Sequence, residues 1–221
     1  MKRNITVAID GPAGAGKSTV AKKLAAALSF EYVDTGAMYR ALTLKVLSLG
    51  IDPKDRIGVI STMENTSIDF RDNHIYLDNE QVDKKIRENI INQNVSFIAK
   101  ISEVRAGMVK LQKQLAKTKS VIMDGRDIGS IVLPQADYKF FITASVEERA
   151  RRRYKELIEK GETNISYENI REEIELRDHI DSTREISPLI ISDGAYVLDT
   201  TNKTIEECVE ILILQMKEKQ L

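Results

Sequence analysis

Residues Gly11-Pro12-Ala13-Gly14-Ala15-Gly16-Lys17-Ser18-Thr19 carry the spacing G-x-x-x-x-G-K-[ST]. Glycines at these positions let successive backbone N–H groups turn into one concavity, where they bind phosphate oxygens. A helix that opens directly after them adds partial positive charge at the same place. Lys17 is then within reach of the β- and γ-phosphates of a nucleotide, and the Ser18 hydroxyl is able to ligate Mg²⁺. The plain alternative is a glycine-rich turn without a ligand. The context argues against it, because the run follows an apolar strand pattern and opens a helical one, which is the setting this chemistry needs.

Such a loop identifies a nucleotide and leaves the reaction open. A small-molecule kinase, a guanine-nucleotide switch and an ATPase motor all use it. A switch usually reads guanine through an N-K-x-D-type segment, and the nearest run here, Asn202-Lys203-Thr204-Ile205, has isoleucine where the acid belongs. A motor needs an apolar strand ending in Asp with a catalytic Glu or Gln nearby. Val121-Ile122-Met123-Asp124 meets only the first half of that requirement. The kinase reading leads, and the other two stay open.

A kinase must also hold an acceptor beside the γ-phosphate and stabilise the charge that spreads in the transition state. If the acceptor is itself a phosphate, several arginines are needed, since guanidinium grips phosphate in a bidentate way. Three separated places supply them. Asp34-Thr35-Gly36-Ala37-Met38-Tyr39-Arg40 puts Thr35 near a helix start and Arg40 about a turn further on. Met123-Asp124-Gly125-Arg126-Asp127-Ile128-Gly129 puts Arg126 just past a strand end, where open α/β sheets bind ligands. Arg184 closes a long charged stretch. The first two have bland counterparts: an N-cap at Thr35 and a surface residue at Arg40, and a polar turn around Arg126.

The elements that must position these residues read as follows. Strand patterns cover residues 5–9, 31–33, 121–123, 140–142 and 196–198, and helical spacing covers 17–28, 37–49 and 204–219. Strands separated by helices point to a mainly parallel sheet with right-handed crossovers. Two regions break the rhythm. Residues 66–82 alternate short strands with Asp72-Asn73 and Asp78-Asn79, which reads as a small antiparallel ribbon. Residues 147–185 are crowded with both charges and read as two exposed helices broken near Gly161-Glu162-Thr163-Asn164. Glu147 with Arg151, and Glu148 with Arg152, have the i,i+4 spacing of ordinary helix pairs.

With 221 residues, the chain suits one large α/β domain with appendages or two small ones. A net charge of −1 argues against a broad basic face for nucleic acid. The single cysteine, Cys208, excludes a disulfide framework and fits a small core position in a reducing compartment. His74 and His179 are far apart, so no histidine metal site is expected. No apolar run approaches the ~20 residues that cross a bilayer, and no targeting segment is visible, so a cytoplasmic protein is expected.

Taken together, these runs resemble the bacterial cytidylate kinases of the nucleoside monophosphate kinase group, over essentially the whole length. The residues that carry the resemblance are Asp10–Lys17, Asp34–Arg40, Asp124–Gly129, Glu148-Arg149-Ala150-Arg151-Arg152, and Arg177-Asp178 followed by Asp181 and Arg184. The first run is common to many phosphate-loop proteins; the other four, in this order and spacing, are more specific. The resemblance implies a P-loop kinase fold: a five-stranded parallel sheet of order 2-3-1-4-5 flanked by helices. Residues 1–221 would form one domain, with an acceptor-binding region at 35–105 that carries the ribbon near 66–82, and a short lid at 148–180.

The same resemblance implies transfer of the γ-phosphate of ATP to CMP or dCMP with Mg²⁺. Arg40, Arg126 and Arg184 match positions that grip the acceptor phosphate. Ser96, Arg105 and Asp127 match those that read the cytosine, and Arg177 and Asp181 those that contact the sugar. Thr35 and Tyr39 line the same pocket, Thr35 standing where the family admits Ser or Thr. Arg149 and Arg153 match lid arginines that close over the transferring phosphate beside Lys17. A monomer without nucleic-acid or membrane partners is expected. Physical chemistry supports the base assignment separately. Cytosine offers an N4 amine that a carboxylate accepts from, whereas uracil presents an oxygen there and would face Asp127 acceptor to acceptor.

Overall fold

The computed structural model describes residues 3–159, 161–163 and 165–218. In chain order these form β1 (Thr6–Asp10), α1 (Lys17–Leu28), β2 (Glu31–Asp34), α2 (Thr35–Ser48), α3 (Arg56–Glu64), β3 (Ile68–Arg71), β4 (His74–Leu77) and β5 (Glu80–Gln81). There follow α4 (Asn89–Ala99), α5 (Ser102–Thr118), β6 (Val121–Asp124), β7 (Tyr138–Thr143), α6 (Val146–Glu159), α7 (Tyr167–Thr183), β8 (Tyr196–Asp199) and α8 (Ile205–Glu218). A π-type turn spans Ile128–Val132. The chain divides into two compact units, one built on Glu31–Val121, the other on Ile5–Phe30 and Ile122–Leu221.

The larger sheet has five strands in the order β2-β6-β1-β7-β8. Counted in chain order within that sheet, this is the expected 2-3-1-4-5 arrangement, and the sheet is parallel with helices flanking it. β1 pairs with β7 from Val7 opposite Tyr138 to Asp10 opposite Phe141, and β7 pairs with β8 from Phe140 opposite Tyr196 to Thr143 opposite Asp199. Every residue of β6 is buried, as are the last four of β1. A parallel strand covered on both faces must read as a near-continuous apolar run, which is why "VAI" and "VIM" were legible. The edge strand β8 turns only Leu198 inward.

In the second unit, β1 runs directly into the phosphate-binding loop. Gly11 has φ 143°, and a Cβ there would lie 1.9 Å from the Ile142 carbonyl oxygen, so the approach of β7 leaves room for glycine alone. Gly16, also in the left-handed region at φ 83°, precedes α1. The buried face of α1 is Lys17, Val20, Ala21, Leu24 and Ala25, one stripe at helical spacing that ends in a lysine within the loop.

In the first unit, β3, β4 and β5 form an antiparallel ribbon with Ile68 opposite Leu77 and Leu77 opposite Glu80. Its two reversals fall on Asp72-Asn73 and Asp78-Asn79, and all four residues have positive φ, as tight hairpin turns require. Three helices of this unit were not evident in the sequence. α3 opens at Asp55, whose carboxylate accepts from the N–H groups of Ile57 and Gly58. The buried face of α5 is Val104, Arg105, Met108, Gln112 and Ala116, so two polar residues interrupt the inward stripe and hide its period.

The charged helices α6 and α7 are not simply two solvated rods. Ala150, Ile170 and Ile174 form a small core between them, with Val146, Tyr154, Leu157, Ile165 and Tyr167 packed around it. Asn164, the last residue of the expected break, and Lys160, just before it, lie outside the described residues. Glu148 pairs with both Arg151 and Arg152, so the pair expected for Arg151 with Glu147 forms with its neighbour instead. Cys208 is buried on α8, as its apolar neighbours required. Among the described residues no helix is long and apolar enough to cross a membrane, and no cluster of His, Cys, Asp or Glu is arranged to hold a metal ion.

Candidate active site

The second unit carries the phosphate loop. Lys17 is buried and its ammonium donates to the Pro12 carbonyl at 2.7 Å. Burial, then the charge of Arg126, holds Lys17 well below its ordinary pKa, with Arg177 adding to the effect and Asp124 and Asp10 opposing it. Lys17 thus stands among two further cations, Arg126 and Arg177, and two carboxylates, Asp124 and Asp10. Ser18 Oγ donates to Asp124 Oδ2 at 2.8 Å, so the loop hydroxyl and the acid at the end of β6 face each other. Two oxygen ligands of this kind suit Mg²⁺, which takes few protein ligands and fills its shell with phosphates and water.

The turn after β6 is fixed on β1. Gly125 N–H donates to the Ile9 carbonyl at 2.9 Å. The Asp10 carboxylate accepts from Ile128 N–H at 2.8 Å and Gly129 N–H at 2.7 Å. Arg126 and Asp127 lie between these anchors. Arg126 Nε donates to Asp181 Oδ2 at 2.8 Å, and Arg184 stands 3.7 Å from the other Asp181 oxygen. Burial would raise the Asp181 pKa, but the charge and hydrogen bond of Arg126, with Arg177 and Arg184, outweigh it and hold the carboxyl below its ordinary value. Asp127 is buried. Of the expected acceptor residues, Arg126, Arg177 and Arg184 are thus gathered around the Asp181 carboxylate, and Asp127 follows Arg126 in the same turn.

The two expected lid arginines stand in unlike surroundings. Arg149 is buried: Nε donates to the Ala144 carbonyl at 2.9 Å, Nη1 to the Ala13 carbonyl in the phosphate loop at 3.1 Å, and Nη2 pairs with Asp178 Oδ2 at 2.6 Å. Its stem packs on Gly14, where a Cβ would meet Arg149 Cβ at 3.3 Å. Arg153, one turn on, is 42% exposed and pairs with Glu156 at 2.8 Å. Arg152 joins the loop differently, donating to Thr200, whose hydroxyl in turn donates to the Ala15 carbonyl.

The first unit carries the remaining expected residues. Asp34, not Thr35, is the N-cap of α2: its Oδ1 accepts from Ala37 N–H at 2.9 Å and its Oδ2 pairs with Arg87 at 2.6 Å. Thr35 is the buried first residue of the helix. Arg40 Nε donates to Asn92 on α4 at 3.3 Å, and its guanidinium lies over Gly36. The buried Arg105 guanidinium sits 5.8 Å from the Tyr39 ring centroid and donates to the Ala99 carbonyl at 3.3 Å. Ser96 is exposed on α4. Residues that spacing did not single out are Asp10, Arg87, Asp178 and Thr200. Only Asp10 and Asp178 carried a signal, as acids inside the quoted motifs.

The sheet order, the loop between β1 and α1 and the arginine-rich cluster beyond β6 define an α/β protein of the P-loop kinase fold. A shikimate kinase from Acinetobacter baumannii shares that fold, with a TM-score of 0.50 and 14% identity over 99% of this chain and 96% of that one. The cytidylate kinase family model matches residues 7–218, and the chain belongs to that family. A cytidylate kinase of Clostridioides difficile (strain 630) is 54% identical over 210 residues, covering 95% of this chain and 97% of the relative. A cytidylate kinase of Caldanaerobacter subterraneus subsp. tengcongensis is likewise 54% identical over 206 residues, covering 93% and 92%.

Proposed function

We propose that this chain is a (d)CMP kinase of pyrimidine nucleotide metabolism, transferring the γ-phosphoryl group of ATP to CMP or dCMP and releasing ADP with CDP or dCDP. The observation that carries the acceptor assignment is Asp127, a buried carboxylate directly after the Arg126–Asp181 pair at the end of β6. A carboxylate held there accepts from the cytosine N4 amine, and Arg126 is left to meet the acceptor phosphate.

The roles follow from the chemistry of each group. Backbone N–H groups of Gly11–Thr19 bind the phosphates of ATP, and Lys17 neutralises charge as it spreads in an in-line transfer with no covalent enzyme intermediate. Ser18, with Asp124 beside it, would hold Mg²⁺, which would supply charge neutralisation for the phosphates of ATP. Arg40, Arg126 and Arg184 grip the acceptor phosphate; Ser96, Arg105 and Asp127 read the base; Arg177 and Asp181 take the sugar; Thr35 and Tyr39 line the pocket. Arg149 and Arg153, in a lid near residues 148–180, stabilise the transferring group. Residues 35–105 serve as the acceptor-binding region of a single kinase domain. A cytoplasmic monomer with small nucleotides as its partners completes the reading.

A coupled assay of ADP release with CMP, dCMP, UMP and AMP tests it. CMP and dCMP are expected to exceed UMP by about a hundredfold or more in kcat/KM, since uracil opposes an acceptor to Asp127. Equal use of UMP would remove the base assignment. ATP binding without acceptor-stimulated ADP release would remove the kinase assignment.

A further inference from the structure

Asp10 closes β1, directly before Gly11 opens the phosphate loop. Its side chain is 2% exposed, an unusual place for a carboxylate, because burial disfavours the charged form. Both oxygens are used: Oδ1 accepts from Ile128 N–H at 2.8 Å and Oδ2 from Gly129 N–H at 2.7 Å. On the other side, Gly125 N–H is held by the Ile9 carbonyl at 2.9 Å. Two adjacent residues of β1 therefore bracket Arg126 and Asp127, one from each flank. The bracket is tight. A Cβ at Gly129 would lie 2.6 Å from Ser192 Oγ and 3.3 Å from Asp10 Oδ2, so the turn cannot shift toward either. The Asp127 carbonyl, in turn, accepts from Ile131 N–H at 2.9 Å and Val132 N–H at 3.1 Å, which sets the π-type turn that follows.

We infer that Asp10 is a positioning residue for acceptor selection: by fixing the N–H groups of Ile128 and Gly129, it sets where the Asp127 carboxylate stands relative to the phosphate loop. The inference rests on the proposed reading that Asp127 accepts from the cytosine amine. It adds that the strand carrying the donor loop also places the acceptor's reader. A carboxylate suits the task because two N–H donors from consecutive residues need two acceptor oxygens. Asparagine would offer one oxygen and would turn its amide N–H₂ toward the other backbone N–H, donor against donor.

The test compares kcat/KM for CMP and for UMP, with the KM for ATP, in the native chain, Asp10→Asn, Asp10→Glu and Asp127→Ala. Displacing the reader by part of an ångström should cost about ten- to a hundredfold in the CMP-to-UMP ratio of Asp10→Asn. The KM for ATP should stay within about threefold, a pattern that general loosening of the fold does not produce. Asp10→Glu keeps both acceptor oxygens, so its ratio should lie between those of the native chain and Asp10→Asn. If Asp10→Asn does not fold, Asp10→Glu carries the test alone, because its longer arm still moves the turn. A native CMP-to-UMP ratio in a folded Asp10 variant, while Asp127→Ala loses it, overturns the role of Asp10. A native ratio in Asp127→Ala overturns the reading of Asp127 itself.

Discussion

The segment Ile122–Val132 and the helix pair α6–α7 both set arginines among acids in the sequence, and they handle that charge in opposite ways. In the first, a few charged groups are buried or half-buried and held by named partners: Asp124 on Ser18, Arg126 on Asp181, with the turn itself held through its Ile128 and Gly129 N–H groups by the buried Asp10 of β1. In the second, charge is abundant and mostly exposed, with i,i+3 and i,i+4 pairs such as Arg151–Glu148 and Arg171–Glu175. Exposed pairs of this kind stabilise by about 0–1 kcal/mol each. Arg149 is the exception that joins the two regions in character, because it is buried against the phosphate loop. Density of charge along a chain therefore says little about function. Burial with complete hydrogen bonding says more, because a desolvated charge survives only where its partners are fixed.

Arg149→Ala sharpens this contrast most. It removes a buried cation that satisfies two carbonyls and Asp178, so kcat should fall by about a hundred- to a thousandfold and the thermal midpoint should drop with it. Steady-state kinetics and a melting curve on the same sample check both halves. A loss of kcat with unchanged stability would mean that Arg149 belongs with the exposed arginines of α6.

The buried segment also predicts a pH dependence of stability. Burial raises the Asp10 pKa from its ordinary 3.8 to about 6, against the backbone N–H groups of Gly129 and Ile128 that favour the anion. The folded chain then holds this proton more tightly than the unfolded chain does. The resulting stability is present below about pH 4, is lost as pH rises toward 6, and is absent above it. Relative to Asp10→Asn, which does not titrate, the native chain should lose up to about 3 kcal/mol across that window. Denaturant unfolding of both chains from pH 3.5 to 7.5 measures it, and a gain with rising pH would contradict the sign.

Arg153→Ala should have a smaller and purely kinetic effect. Its partner Glu156 is itself about half exposed, so the pair opens readily when a substrate competes for the guanidinium. A fall in kcat of about tenfold with an unchanged melting point is expected. Arg151→Ala, at 68% exposure, should leave turnover within about twofold. Equal effects at positions 149, 151 and 153 would erase the distinction between the regions.

What was legible in the sequence follows the same division. The loop Gly11–Thr19 could be read because its function lies in backbone geometry and in spacing that nine adjacent residues contain. The strands β1 and β6 could be read because burial on both faces forces an apolar run. Asp10 could not be assigned, because its partners Ile128 and Gly129 lie more than a hundred residues away and meet it only through the sheet order. Helix α5 was hidden by Arg105 and Gln112 on its buried face. The bland reading put the N-cap at Thr35, and only the Ala37 N–H bond shows that Asp34 caps α2. Among the four arginines of α6, nothing in their spacing separates the buried one from its neighbours.

The central claim is that the turn after β6 selects cytosine through Asp127. Its most direct test is the ratio of kcat/KM for CMP to that for UMP in the native chain and in Asp127→Ala. A native ratio of about a hundred or more, falling by at least tenfold in Asp127→Ala while the KM for ATP holds, is the predicted result. A ratio unaffected by the substitution, or ATP and CMP weakened alike, would contradict it.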